Sequence, residues 1–232
     1  MKPLGFGKSI LYFGIPALLM HGIYRMGMHV IDILGVRLFF TFLIGFGIPS
    51  LLMLLAALIL YRRERPGSFR ERFRLQKFDA AGWAWTLALC VIWIAAPIVL
   101  RPATEWLQTN WFPPDKMWIR MMTPDDHYFM EVPIVGNPWI PAALALFAIL
   151  NVFGGELFWR GYVFPRQELA FGPRTWLIHA FLWIAFRSFL PWELASATVL
   201  GFALAYAVQR TRNTWTAILA HFCGLITMML TR

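Results

Sequence analysis

The chain has 232 residues, 59% of them hydrophobic and only 14% charged, with a net charge of +9. A soluble domain carries about a quarter charged residues and cannot hide this much apolar surface in a core of its own, so lipid must cover much of the chain. Its Lys and Arg residues sit between apolar segments rather than along one face, and no basic-aromatic module is present, which argues against nucleic acid as a partner.

A helix crossing about 30 Å of hydrocarbon needs roughly 20 residues, fewer if its ends are anchored. Seven segments meet that demand: 9–25, 38–61, 83–100, 138–155, 175–190, 194–209 and 214–231. They predict an all-α, polytopic transmembrane bundle. The first segment is interrupted by Pro16, His21 and Arg25, so it either spans or lies along the interface. It lacks a small-residue cleavage site and is expected to be retained. The second segment is the clearest. After it, residues 62–77 carry Arg62, Arg63, Arg65, Arg70, Arg72, Arg74 and Lys77, interleaved with Phe69, Phe73 and Leu75. This linker reads as a topology anchor, with a short amphipathic helix on anionic headgroups as the alternative. The long loop 101–137 holds Trp106, Trp111, Phe112, Trp118 and Tyr128 around a Pro113-Pro114 break, and is expected to fold back on the membrane surface. Its Asp125, Asp126, His127 and Glu131 read as an ordinary solvated loop rather than a metal site. Cys90 and Cys223 lie in apolar runs without ligand spacing. No cofactor or metal is expected. Without internal repeats, residues 1–232 form one membrane domain, with N-terminal spans in 1–137 and a core in 138–231.

Orientation follows from the basic residues. With seven spans, the 62–77 linker shares a side with Lys2, Lys8, Arg160, Arg166, Arg174, Arg210 and Arg212, fourteen Lys and Arg in all. Six lie opposite: Arg25, Arg37, Arg101, Lys116, Arg120 and Arg232. The N-terminus is therefore expected inside and the C-terminus outside a cytoplasmic (inner) membrane, with Arg187 inside a span.

An ionisable side chain within a span is costly unless paired, so each is a candidate site residue. Glu156 and Arg160 are four apart and meet on one helical face. His179 and Arg187 lie in the fifth segment and His221 in the seventh. Two readings stay open on residue types alone: a polar cavity in the bundle, or a salt-bridged set that fixes helix packing.

The stretch GGELFWRGYVFPRQE resembles the first motif, Glu-Glu-x-x-x-Arg, of the CPBP family of CAAX proteases and bacteriocin-processing (Abi-type) enzymes. RTRNTWTAILAHFCGLI resembles that family's closing segment with its His-x-x-x-Asn/Asp motif, so the likeness covers roughly 138–231. It implies a glutamic intramembrane endopeptidase. In that scheme the first Glu and the His of a Phe-x-x-x-His motif activate water, while the last His and Asn stabilise the oxyanion. Carried over position by position, Gly155 stands for the first Glu, while Glu156 and Arg160 keep the second Glu and the Arg. Trp183 stands for the Phe, Arg187 for the His, and Leu225 for the Asn, while His221 is retained.

Three of those four catalytic positions cannot perform the usual chemistry. Gly155 has no side chain, Arg187 stays protonated and cannot act as a base, and Leu225 is no hydrogen-bond donor. A rescue with Glu156 as base and His179 as the histidine is geometrically poor, because His179 lies about 12 Å from Arg187 along a helix. A metal held by Glu156, His179 and His221 matches no ligand spacing. Glu156 and His221 remain as residual catalytic candidates. The resemblance therefore implies a non-proteolytic member that binds or scaffolds a transmembrane partner, peptide, lipid or membrane complex. The alternative is a divergent endopeptidase acting on a membrane-embedded or lipidated peptide. A buried arginine needs a carboxylate, and Arg187 is expected to find Glu193, leaving Glu156 to Arg160 and His221.

Overall fold

Where water is excluded, the backbone must satisfy its own polar groups, and apolar runs become helices. The computed structural model describes residues 1–64 and 67–230, with side chains to Ile226. It is a polytopic all-α bundle whose described strands are two residues long. Helix α1 (Phe6–Gly22) runs on through a π turn at Ile23–Gly27 into α2 (Met28–Ile33), so neither Pro16 nor Arg25 ends it. The other long helices are α3 (Leu38–Arg63) and α5 (Ala80–Val99), then α8 (Ile140–Glu156), α10 (Thr175–Phe186), α11 (Leu194–Thr211) and α12 (Thr214–Leu230). Helix α3 packs on α8, α5 on α11 and α12, and α10 on α11 and α1. Large side chains such as Ile15 and Leu18 remain exposed on α1, as expected of a face that lipid covers.

Five stretches are long and apolar enough to cross a membrane: Phe6–Ile33, Leu38–Arg63, Ala80–Val99, Ile140–Phe189 and Pro191–Thr211. Thr214–Ile226 is a shorter apolar helix. The expected fourth and fifth spans fall together in Ile140–Phe189, which is broken at Gly172, where φ is 57°. Between α8 and α9 (Phe164–Phe171) lies a seven-residue π run, Leu157–Val163, every residue of it buried. Such widened turns are rare and concentrate at functional sites. Glycine sets the approach of α8 to α3, because a Cβ on Gly154 would sit 2.2 Å from the Ser50 carbonyl oxygen.

Both connecting segments pack more deeply than their composition suggests. In 101–137, helix α6 (Arg101–Asn110) leaves Trp106 exposed, and Trp111 beyond it is exposed too. Helix α7 (Lys116–Met122), capped by Asp115, buries Met117, Trp118 and Met121 in the main core. A ribbon of β1 (Tyr128–Phe129) and β2 (Val132–Pro133) follows, and Glu131 accepts from the Leu38 backbone N–H at 3.0 Å and from Arg120 at 3.1 Å. This segment folds back and caps the bundle. The reason is Trp118, which stacks on Tyr24 with ring centroids 4.6 Å apart.

The basic linker is folded as well. Ser68 and Glu71 form a capping box around α4 (Phe69–Arg72), and Arg72, Phe73 and Leu75 are buried rather than spread on headgroups. Phe73 fills the place of a side chain at Gly161, where a Cβ would lie 2.6 Å from its ring. Linker, N-terminus and the 211–214 turn share one end of the bundle. There Leu4 N–H donates to Arg166 O, Thr214 N–H to Arg74 O, and Asn213 Nδ2 to Gln76 O. Arg160, which the charge count assigns to this end, is wholly buried in the core. Arg65 and Arg232 lie outside the described residues.

Candidate functional site

Glu156 closes α8, and Arg160 follows one turn later inside the π run. The guanidinium Nη1 lies 3.3–3.4 Å from the two carboxylate oxygens, with both side chains 1% exposed. From α12, His221 Nδ1 lies 2.9 Å from Glu156 Oε1, so the imidazole donates to the carboxylate. The same oxygen of Glu156 thus faces a cation and an imidazole donor. Trp93 of α5 stacks on His221 with centroids 5.0 Å apart, and Gly224 lets it do so, because a Cβ there would meet the indole at 1.6 Å.

Arg160 also sits over the face of Trp183, 5.0 Å from a ring centroid, and Arg187 approaches the same indole at 5.9 Å. Cation–π contact partly replaces the hydration that these guanidinium groups lose. Arg187 donates from Nη2 to Glu193 at 2.6 Å. The structure therefore brings Glu156, Arg160, Trp183, Arg187 and His221 into one chain of contacts, and it distributes the two carboxylates between the two arginines. Gly155 is buried, yet a Cβ built on it meets nothing within 4 Å. Leu225 lies one turn beyond His221 on α12 and is packed against the main core. The satisfaction is incomplete: among the described residues Glu156 Oε2, Arg160 Nε and Nη2, and Arg187 Nε have no hydrogen-bond partner.

Residues 137–224 match a family model described as type II CAAX prenyl endopeptidase Rce1-like. The match covers 88 of the 232 residues and is a likeness of this C-terminal region. No curated protein and no solved structure matches the chain. Glu156, Arg160, Trp183, Arg187 and His221 all fall within the matched region.

His179 lies in the matched region but away from the carboxylate–imidazole contact. Its ring Nδ1 bonds Gln167 Oε1 at 2.7 Å, and Gln167 Nε2 donates to Ser9 at 3.0 Å, all three residues being fully buried. This network ties α1 to α9 and α10. Phe13 and Phe164 pack edge-on to the His179 ring. Sequence reasoning missed Ser9 and Gln167, which are polar but uncharged and raise no alarm in an apolar run.

A second missed cluster lies at the linker end. Glu64 accepts from Arg166 at 3.2 and 2.5 Å, from Tyr162 at 2.9 Å and from Arg72 at 3.4 Å, and Arg74 pairs with Glu168. Burial pushes the Glu64 carboxyl up, but the hydrogen bonds from Arg166 and Tyr162 and the charges of Arg166 and Arg72 outweigh it and hold the pKa below the ordinary 4.5. In the capping loop, Asp125 accepts from the backbone N–H groups of His127 and Tyr128, which makes it a turn former. Among the described residues no three His, Cys, Asp or Glu side chains converge as a metal site.

Proposed function

We propose that this CAAX-protease-like membrane protein is non-proteolytic, and that its bundle binds or scaffolds a transmembrane partner, peptide or lipid in the cytoplasmic membrane. The observation that carries this reading is the commitment of Glu156. A general base must present a lone pair to water. Here the one buried carboxylate of the motif is held by Arg160 and His221 together, 3.3 and 2.9 Å away. In the positions that the resemblance assigns, the second carboxylate is absent at Gly155 and the second histidine is Arg187, paired with Glu193. The domain would then keep the architecture of the enzyme and use its polar centre as a packing element. An open apolar groove of about 440 Å³ between α1 and α3, lined by residues such as Leu11, Ile15, Leu52, Met53 and Phe158, is consistent with the binding side of the proposal.

The divergent-endopeptidase reading draws on one observation, that Glu156 and His221 are in direct contact as a carboxylate–imidazole pair. A cleavage assay separates the two. Purified full-length protein, reconstituted in vesicles with prenylated peptides and with leader-type membrane peptides, is expected to give no product. Turnover abolished by Glu156→Gln and by His221→Ala separately would establish the enzyme instead.

A further inference from the structure

We propose that Cys90 and Cys223 are a reversible cross-linking site, a disulfide between α5 and α12 that locks Trp93 over His221. The two sulfurs are 2.8 Å apart although the residues are separated by 133 positions. No disulfide joins them in the structure, and both are half-buried.

The surroundings make this contact more than a chance approach of two thiols. Trp93 lies three residues beyond Cys90, one helical turn along the same face of α5. Gly224 follows Cys223 directly. The absence of a side chain at Gly224 is what lets the indole of Trp93 reach α12, and that indole covers His221, two residues before Cys223. The thiol pair and the Trp93–His221 stack are thus neighbouring rungs of one helix–helix seam. His221 keeps 21% of its side chain exposed, while its partner Glu156 is sealed at 1%, so His221 is the member of the pair that a reagent can reach. A bond between the sulfurs would hold α5 against α12 at that point. It would keep the indole on the ring, whatever the domain does with its polar centre. The inference therefore stands apart from the non-proteolytic reading.

The chemistry needs a two-electron oxidant able to enter lipid, and an azo compound such as diamide serves. One thiol loses its proton and adds its sulfur to a nitrogen of the N=N bond. The second thiol's sulfur then attacks the first, and the hydrazine leaves. The S–S bond forms, both thiol protons end on the two nitrogens, the cysteines are oxidised by two electrons and the azo group is reduced by two. Dithiothreitol reverses the reaction by exchange and closes into its own cyclic disulfide.

The test uses full-length protein in detergent or in membranes. Diamide is expected to remove 2 Da within one chain, in about the time needed to block both thiols from a maleimide, and dithiothreitol is expected to restore both. Cys90→Ser and Cys223→Ser should each abolish the mass change. Carbethoxylation of His221, followed by peptide mass mapping, is expected to slow several-fold in the oxidised protein and to recover on reduction. Two thiols that remain open to maleimide after diamide, or bonds formed only between chains, would overturn the site. An intrachain disulfide that leaves His221 reactivity unchanged would overturn the clamp.

Discussion

Replacing Arg160 by methionine removes the charge that the core supplies to Glu156 while keeping much of the buried volume. The two side chains are each 1% exposed and 3.3 Å apart, so neither is solvated by water when the other is lost. Breaking such a pair from one side costs about 3–5 kcal/mol, because a buried charge is left without its counterpart. For a chain of this size about 2–4 °C of melting temperature corresponds to each kcal/mol, so Arg160→Met is expected to lower Tm by about 6–20 °C. His221→Ala removes a hydrogen bond to the same carboxylate, worth about 1.5–3 kcal/mol, and should fall short of that. Substituting both partners, Glu156→Leu with Arg160→Met, should recover most of the loss, because no unpaired charge then remains in the core. The measurement is the thermal loss of the monodisperse peak of full-length protein in detergent, followed by size exclusion. If Arg160→Met melts within about 2 °C of the parent, less than a single kcal/mol, the pair does not hold the centre and the argument fails.

The adjacent glycines of the first motif should respond in opposite ways. Gly154→Ala drives a Cβ into the Ser50 carbonyl and should sharply reduce the yield of folded protein, whereas Gly155→Ala enters open space and should be neutral or stabilising by up to about 1 kcal/mol. Glu64 has a folded pKa below its ordinary 4.5, so its stabilisation is full above that value and is lost as pH falls through the depressed one. Melting profiles against pH should show a steeper acid limb for the parent than for Glu64→Gln, and parallel limbs would remove Glu64 from the account. The charge asymmetry predicts that 62–77 faces the cytoplasm. In a variant lacking the native cysteines, Ser68→Cys should therefore resist a membrane-impermeant thiol reagent in intact cells, while Thr109→Cys should react. The reverse pattern inverts the topology.

Local sequence carried a good deal of this architecture. Long apolar runs fixed the helical class, and the four-residue spacing of Glu156 and Arg160 foretold their pairing, because a helix turn brings such residues together whatever else happens. The need of a buried arginine for a carboxylate pointed to Glu193, six residues from Arg187, and the two are bonded at 2.6 Å. His221 could be named from its motif, but its contact with Glu156 spans 65 positions and depends on how α12 meets α8. The π run was invisible, since no periodicity in the sequence marks it. The packing of the linker was hidden for a related reason. Arginines beside phenylalanines look alike whether they face headgroups or a partly buried glutamate, and only the fold reveals that Glu64 bonds Arg72. Nothing short-range could have joined Cys90 to Cys223.

The ion pairs at the linker end also set an order of assembly. Glu64 and Arg166 are separated by 102 positions, and Arg74 and Glu168 by 94. When the second apolar helix and its arginine-rich tail first leave the ribosome, the groups that will neutralise and cover them have not been synthesised. Phe73 has no Gly161 to rest on, and Glu64 meets only the nearby Arg72. The N-terminal helices must therefore wait in the membrane with an unfinished seam until the π run has emerged. Contacts of such long range are slow to form and leave the waiting chain exposed to wrong partners. In this protein the last third of the polypeptide completes the first.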